Sequence, residues 1–243
     1  MTLLFALLLA AAQTAAPPAQ PAPPPANVSE APARADGMVL AGIVNPEGPM
    51  IDMLVRNFES VLRSGVKENE DYQALELEHP GLSEALVQAM TKAMKADAIA
   101  DFPRQRQRYA RFFASQFTPD EVSQLIHFYS SAAGQRLVMA KYAKLDAAPF
   151  ASNPEVPVSA DQIRAANRNA ANSISTDMSE ADRAALIAFA KTPVFAKLTK
   201  ARMAMEQLEA EIANEPDPEL DAALEAATNE VLAKFTGESP QGE

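Results

Sequence analysis

The stretch Phe117-Thr118-Pro119-Asp120-Glu121-Val122 has the pattern of a helix N-terminus. Thr118 is a suitable N-cap, because its hydroxyl can accept a hydrogen bond from a free backbone N–H of the first turn. Pro119 then occupies the first helical position, and Glu121 can reach back to complete a capping box. The flanking phenylalanine and valine can pack together as a hydrophobic staple. The segment therefore predicts a helix that begins directly after Thr118.

The residues that follow indicate two consecutive helices. A first apolar stripe recurs at helical spacing at Val122, Leu125, Ile126 and Tyr129. Residues 130–134, Ser-Ser-Ala-Ala-Gly, then predict a kink or turn. A second apolar stripe continues at Leu137, Val138 and Tyr142. Together these patterns predict a helical hairpin.

This segment also carries a family resemblance. The residues concerned are Phe117, Thr118, Glu121, Leu125, Ile126, Phe128, Tyr129, Ser131, Gly134 and Arg136. In this pattern the chain resembles DUF2059, a family of exported, all-helical bacterial proteins of unknown function. The resemblance extends back through His79-Pro80-Gly81 and covers residues 75–145. It implies a helical fold and a periplasmic location, and it implies no activity. Ala132 stands where the family usually has proline, so the flanking helices are expected to be more continuous.

An internal similarity appears when the chain is compared with itself at an offset of 61 residues. The first set of residues is Thr118, Leu125, Ile126, Phe128, Ser131 and Leu137. The second is Ser179, Leu186, Ile187, Phe189, Thr192 and Leu198. A repeated apolar register of this kind predicts two related helical hairpins, whose apolar faces would pack against each other.

The remaining sequence predicts further helices and no strand. Apolar residues at helical spacing over 51–62, a short segment near Tyr72, and a run from Leu82 to Met94 each predict one helix. Pro103 is expected to open another. We therefore predict an all-α bundle of about eight to ten helices. Its expected parts are a helical domain over 49–145, a linker over 146–158, and a second helical repeat with an acidic C-terminal hairpin over 159–243.

The C-terminal third predicts an antiparallel helical hairpin between residues 194 and 235. One heptad-like seam runs through Val194, Leu198, Ala201, Met205, Leu208 and Ile212. After a turn at 214–218, a second seam runs through Leu220, Leu224, Ala227, Val231 and Phe235. The hairpin could serve as a docking or dimerisation arm centred on Leu208 and Leu224. Alternatively, both seams complete the same globular bundle.

The N-terminal residues indicate export. Residues 1–12 form an apolar run of the length of a signal-peptide core, and Ala10-x-Ala12 predicts cleavage between Ala12 and Gln13. Residues 13–48 are rich in proline and alanine and predict a disordered tether. The mature protein is therefore expected in the periplasm or outside the cell. No later segment has the composition of a transmembrane helix.

Charge and composition exclude several chemistries. The 243 residues include 21 Lys and Arg, 32 Asp and Glu, two histidines and no cysteine, with a net charge of −11. This charge argues against binding to nucleic acid, and the lack of cysteine excludes disulfides and thiolate zinc sites. Neither a metal nor a cofactor is expected. Residues 206–243 hold eleven acids and one base. Three arginines, Arg104, Arg108 and Arg111, share a helix face that could contact an anionic surface, although a solvated face needs no function.

The sequence predicts an exported, non-catalytic protein that binds an unidentified protein or envelope component. No residue pattern locates a catalytic group, so none is assigned. His127 lies on the polar side of its helix and is expected to be exposed. Two alternatives remain: a structural homo-oligomer joined through the 194–235 hairpin, and a carboxylate-dependent cell-wall hydrolase. The latter is retained because the numerous acids offer many carboxylate pairs.

Overall fold

A computed structural model describes residues 34–146 and 157–237, and these ranges contain ten helices and no strand. The helices are α1 (Ala35–Val44), α2 (Glu47–Glu68), α3 (Glu70–Glu78), α4 (Leu82–Gln116), α5 (Pro119–Ser130), α6 (Ala132–Lys144), α7 (Ala160–Asp177), α8 (Glu180–Ala190), α9 (Pro193–Ala213) and α10 (Pro218–Thr236). The prediction of an all-α bundle is confirmed. Within these ranges no single helix is long and apolar enough to cross a membrane. Helices α1 and α2 reach the required length and composition only when they are taken together, as a pair bent at the break between them.

The chain divides into two compact units. The first unit holds the described residues up to Met50, Phe102–Asp146, and the described residues from 157 to Asn214. The second unit holds Ile51–Asp101 and the described residues from Glu215 onward. Helices α2 and α4 contribute to both units, since the boundary after Met50 falls inside α2 and the boundary after Asp101 falls inside α4.

The first unit is built around a fully buried aromatic core. Helix α1 packs on α5 and α6, and α7 packs on both α6 and α9. Phe112, Phe113 and Tyr129 are fully enclosed at the centre, together with Leu125 and Leu198. Aromatic side chains bury large apolar areas, so they contribute strongly to the stability of this unit.

The second unit has a smaller core. Leu82 and Leu86 of α4 pack with Val231 of α10, and these three side chains are buried. Further apolar side chains pack against them while only partly buried, among them Tyr72, Leu75 and Phe235. At the start of α4, the Glu76 carboxylate accepts hydrogen bonds from the backbone N–H groups of Gly81 and Ser83. Gly81 has a φ of 94°, a conformation that glycine adopts readily, and this residue allows the chain to turn between α3 and α4.

Helix α4 shows that the prediction for Pro103 was wrong. Pro103 lies inside the 35 residues of α4 and does not open a helix. An interior proline removes one backbone hydrogen bond and costs about 3 kcal/mol. Phe102 before the proline and Ala110 after it are both buried, so the helix is packed on either side of Pro103. Tertiary burial here outweighs the local penalty.

Helix α1 corrects the predicted tether over 13–48. Residues 35–44 are helical, and Leu40, Ala41 and Val44 of this helix are buried. The Arg34 guanidinium donates hydrogen bonds to the carbonyl oxygens of Ala114 and Phe117 and so holds the start of α1 against the end of α4. The predicted signal peptide over 1–12, the tether up to residue 33 and most of the 146–158 linker lie outside the described residues.

The two helices of the predicted C-terminal hairpin belong to different units. Helix α9 lies in the first unit, packs on α7, and buries Leu208 to 5% exposure. Helix α10 lies in the second unit, where its Val231 joins the core with Leu82 and Leu86. The seam of α9 is therefore covered within the first unit, because α7 presents a matching apolar face. The pairing of α9 with α10 as an antiparallel hairpin stays a prediction.

Candidate functional site

The predicted capping box at the start of α5 is present. The Thr118 hydroxyl accepts a hydrogen bond from the Glu121 backbone N–H at 3.4 Å, and a Glu121 carboxylate oxygen accepts one from the Thr118 N–H at 2.7 Å. Pro119 occupies the first turn, where its missing N–H costs nothing. Phe117 and Val122 are both buried. Local chemistry therefore sets the first residue of this helix, as predicted.

A second cap separates α5 from α6. The Ser131 hydroxyl accepts a hydrogen bond from the Gly134 N–H at 3.1 Å and donates one to the Phe128 carbonyl at 2.6 Å. A Cβ on Gly134 would lie only 2.6 Å from the Tyr129 Cα and closer still to the Phe128 carbonyl oxygen. The chain thus turns tightly without the family's proline, so the expectation of more continuous helices at Ala132 was wrong.

The hairpin formed by α8 and α9 repeats this geometry. Its caps are Ser179 and Thr192, which accept hydrogen bonds from the N–H groups three residues on, at 3.2 and 3.3 Å. The Thr192 hydroxyl also donates to the Phe189 carbonyl at 2.7 Å. Helices α5 and α8 begin 61 residues apart, and so do α6 and α9. We call α5 with α6 the first hairpin and α8 with α9 the second hairpin.

Two ion pairs join the hairpins in a reciprocal way. Glu121 of the first hairpin accepts a hydrogen bond from Lys197 of the second at 2.5 Å. Arg136 of the first hairpin forms a bidentate pair with Asp182 of the second, with nitrogen–oxygen distances of 2.5 and 3.0 Å. At an offset of 61, Glu121 corresponds to Asp182 and Arg136 corresponds to Lys197. Each pair is therefore the counterpart of the other with the roles of the hairpins exchanged.

The hairpins also meet through equivalent phenylalanines. The rings of Phe128 and Phe189 stack with centroids 3.9 Å apart and an interplanar angle of 5°. Phe189 also makes T-shaped ring contacts with Tyr129 and Phe195. Equivalent residues contact each other only on a two-fold axis, so this stack lies where such an axis would pass. The two apolar faces pack against each other, as the repeated register predicts.

The acidic members of both ion pairs are held in their charged form. The hydrogen bonds from Arg136, and then from Ser179, lower the pKa of Asp182 below its usual value. Lys197, and then the Thr118 N–H, lower the pKa of Glu121 in the same way. A carboxyl group whose pKa is lower in the folded protein contributes stability at pH values above its pKa in the unfolded chain. This contribution is lost as the pH falls through the pKa of the folded state.

We expect Asp182→Asn to lower the urea midpoint at neutral pH, because asparagine offers Arg136 one neutral acceptor instead of two charged ones. The difference from the wild type should shrink as the pH falls below about 4, where Asp182 itself becomes protonated. Urea unfolding at several pH values measures this. Asp120→Asn, at an exposed position, is the control. A difference for Asp182→Asn that stays constant with pH would contradict the assignment.

A buried carboxylate joins α7 to α9. Glu206 has no exposed surface, and its Oε2 accepts a hydrogen bond from the Arg164 Nε at 2.8 Å. The Arg202 Nε lies 3.5 Å from the Glu206 Oε1. Burial raises the pKa of Glu206, and the bond from Arg164 opposes this increase. Sequence reasoning missed this pair, since Glu206 resembled the solvated acids around it.

The remaining candidate residues are not brought to one site. Arg104 is exposed on α4, whereas Arg108 and Arg111 are half-buried. Arg106, which was not singled out, donates two hydrogen bonds to the Met38 carbonyl of α1. Of the two predicted partner-binding leucines, Leu224 is half-buried and Leu208 is buried in the first unit. His127 is exposed, as predicted.

Charge is divided unevenly between the two units. The described residues of the second unit include sixteen acids and six bases, a net charge of −10, whereas those of the first include twelve acids and fifteen bases. The described residues hold no group of three side chains suited to bind a metal ion. On the second unit, Leu77 of α3 is 85% exposed, and α3 has no buried residue. This unit therefore combines negative charge with accessible apolar side chains.

Comparison with known proteins finds a family match over part of the chain. No curated protein and no solved structure matches the chain. Residues 104–149 match the model of a family described as an uncharacterized protein conserved in bacteria, DUF2059. The matched segment includes the end of α4 and all of the first hairpin. The resemblance of this chain to DUF2059 is thus confirmed over residues 104–149.

Proposed function

We propose that this is an exported, non-catalytic helical protein that binds a basic partner protein through its second unit. The net charge of −10 on the described part of that unit is the observation that carries the proposal. An acidic surface attracts a basic partner and raises the rate of association. The first unit has a small positive net charge, so the attraction would be directed to the second unit.

The apolar side chains of the second unit indicate the form of the partner. Each of its helical segments carries an apolar side chain that is exposed or only partly buried: Phe58 of α2, Leu77 of α3, Ile99 of α4 and Leu224 of α10. An amphipathic helix binds by placing its apolar face on such side chains, while its charged face meets the rim of the site. A helix with leucine-like residues on one face and lysines or arginines on the other fits both features.

A defined peptide tests the proposal. A labelled amphipathic helix made of leucine and lysine is titrated with the full chain, and binding is followed by fluorescence anisotropy. We expect binding that weakens as salt is added, because exposed charges are screened. The matched peptide of leucine and glutamate should not bind. Equal binding of the two peptides, or no binding of either, would overturn the proposal.

A pair of variants places the binding surface. Leu77→Asp is expected to weaken binding of the lysine peptide by about tenfold or more, because burying an exposed leucine contributes about 2 kcal/mol. Met203→Asp is the matched control, since Met203 is 60% exposed on α9 of the first unit. It should bind the peptide as the wild type does. If Met203→Asp weakens binding as much as Leu77→Asp does, the second unit is not the docking surface.

We also propose that the two hairpins are copies of one ancestral unit. The common offset of their helix starts, their equivalent caps and their reciprocal ion pairs support a duplication. The copies differ where α1 packs on the first hairpin: the buried Val122 and Tyr129 correspond to the exposed Arg183 and the small Ala190. This difference follows if only the first copy packs against α1.

A further inference from the structure

We infer that the two hairpins of one chain are related by an approximate two-fold axis and form the kind of interface found in a symmetric dimer. Each hairpin therefore also fits the opposite hairpin of a second copy of this protein. The partner is a second molecule of the same chain, and the product is a dimer with exchanged hairpins. This inference rests on the proposed duplication and is independent of the proposed binding of a basic partner.

The polar contacts of the interface are self-complementary. Each hairpin contributes one acid and one base to these ion pairs: Glu121 and Arg136 from the first, Asp182 and Lys197 from the second. The acid of each meets the base of the other. An interface in which residue i contacts j while j contacts i is the arrangement of a two-fold symmetric dimer.

The apolar contacts obey the same relation. Phe128 and Phe189 occupy equivalent positions and stack directly on each other. Helix α5 contacts α9, and α6 contacts α8. Since α5 is equivalent to α8 and α6 to α9, these are equivalent contacts in which the two hairpins exchange roles. A second molecule can supply the same stack and the same ion pairs from its own second hairpin without any new contact.

The match to the family model bears on the same point. It ends at residue 149 and covers one hairpin. A single amphipathic hairpin cannot bury its own apolar stripe, so it needs a second hairpin to cover it. In this chain the second hairpin supplies that cover, and exchange between two molecules would preserve it.

Charge reversal in the full chain tests the inference. Variant one carries Glu121→Lys and Arg136→Glu, and variant two carries Asp182→Lys and Lys197→Glu. In either variant alone, both contacts between the hairpins become like-charge pairs. In an exchanged dimer of one molecule of each variant, all four interchain contacts are again pairs of opposite charge. We therefore expect equal amounts of the two, unfolded and refolded together, to form mainly a one-to-one heterodimer, measured by native mass spectrometry.

A chain with all four reversals is the control. Its own hairpins are complementary again, so it should fold as a monomer with a urea midpoint close to that of the wild type. If the mixture contains only the separate variants, whether folded or aggregated, while this control folds, the inference is overturned. Failure of the control to fold would likewise contradict the equivalence of the two ion pairs.

Discussion

Gly134→Ala is expected to lower the free energy of unfolding by about 3 kcal/mol, the upper part of the range for overpacking a core. The added Cβ would press on the Phe128 carbonyl oxygen and lie 2.6 Å from the Tyr129 Cα. Both are backbone atoms of the preceding helix, so no side chain can rotate away. The start of α6 would have to move and weaken the Ser131 cap. Chemical unfolding followed by far-UV circular dichroism measures the effect.

Gly65→Ala is the matched control for this substitution. Gly65 lies near the end of α2, is exposed, and has no atom within 4 Å of the position that a Cβ would occupy. Alanine is the better helix former, so this change should stabilise the protein by about 1 kcal/mol. Opposite signs for two glycines in helices are the expected outcome. If Gly134→Ala also stabilised the protein, the prediction would be wrong, because the start of α6 would then accept a Cβ without a clash.

The success of sequence reasoning at the first hairpin has a physical cause. Helix starts are set by residues close together in the chain, so Thr118 and Glu121 could be assigned their capping roles from spacing alone. For Ser131 the spacing indicated only a kink or turn. The offset of 61 also pairs Glu121 with Asp182 and Arg136 with Lys197, so the equivalence of the two ion pairs was available before the structure. The pairing of each acid with its base could be identified only from the way in which the two hairpins pack.

The failures occurred where distant contacts outweigh local preference. Helix α1 follows a proline-rich segment, and its helical state depends on burial of Leu40 and on hydrogen bonds from Arg34 to the end of α4. Pro103 has the local signal of a helix start, yet the helix continues through it, with Phe102 and Ala110 buried on either side. Glu206 lies in an acidic stretch, and only the position of Arg164 on α7 distinguishes it from a solvated acid.

Arg164→Met is expected to lower the free energy of unfolding by about 3 kcal/mol at neutral pH, because it leaves Glu206 buried without its strongest partner. Glu206 has no exposed surface, and Arg202 approaches it only to 3.5 Å. The matched control is Arg168→Met, an exposed position on the same helix, which should change stability by less than about 0.5 kcal/mol. Adding Glu206→Met to Arg164→Met should recover most of the loss, since a paired charge replaced by apolar residues costs little.

The loss caused by Arg164→Met should also depend on pH in a defined direction. Burial already raises the pKa of Glu206 above its usual value of 4.5, and removing the opposing bond from Arg164 raises it further. At pH values between the pKa of Glu206 in the unfolded chain and its higher pKa in the folded variant, the folded variant holds a proton that the unfolded chain releases. The free energy of unfolding therefore falls as the pH rises through this range. The deficit relative to the wild type should therefore be smaller near pH 5 than near pH 8. A deficit that does not change with pH, or that grows in acid, would mean that Glu206 stays charged and is stabilised by another group, with Arg202 the nearest candidate.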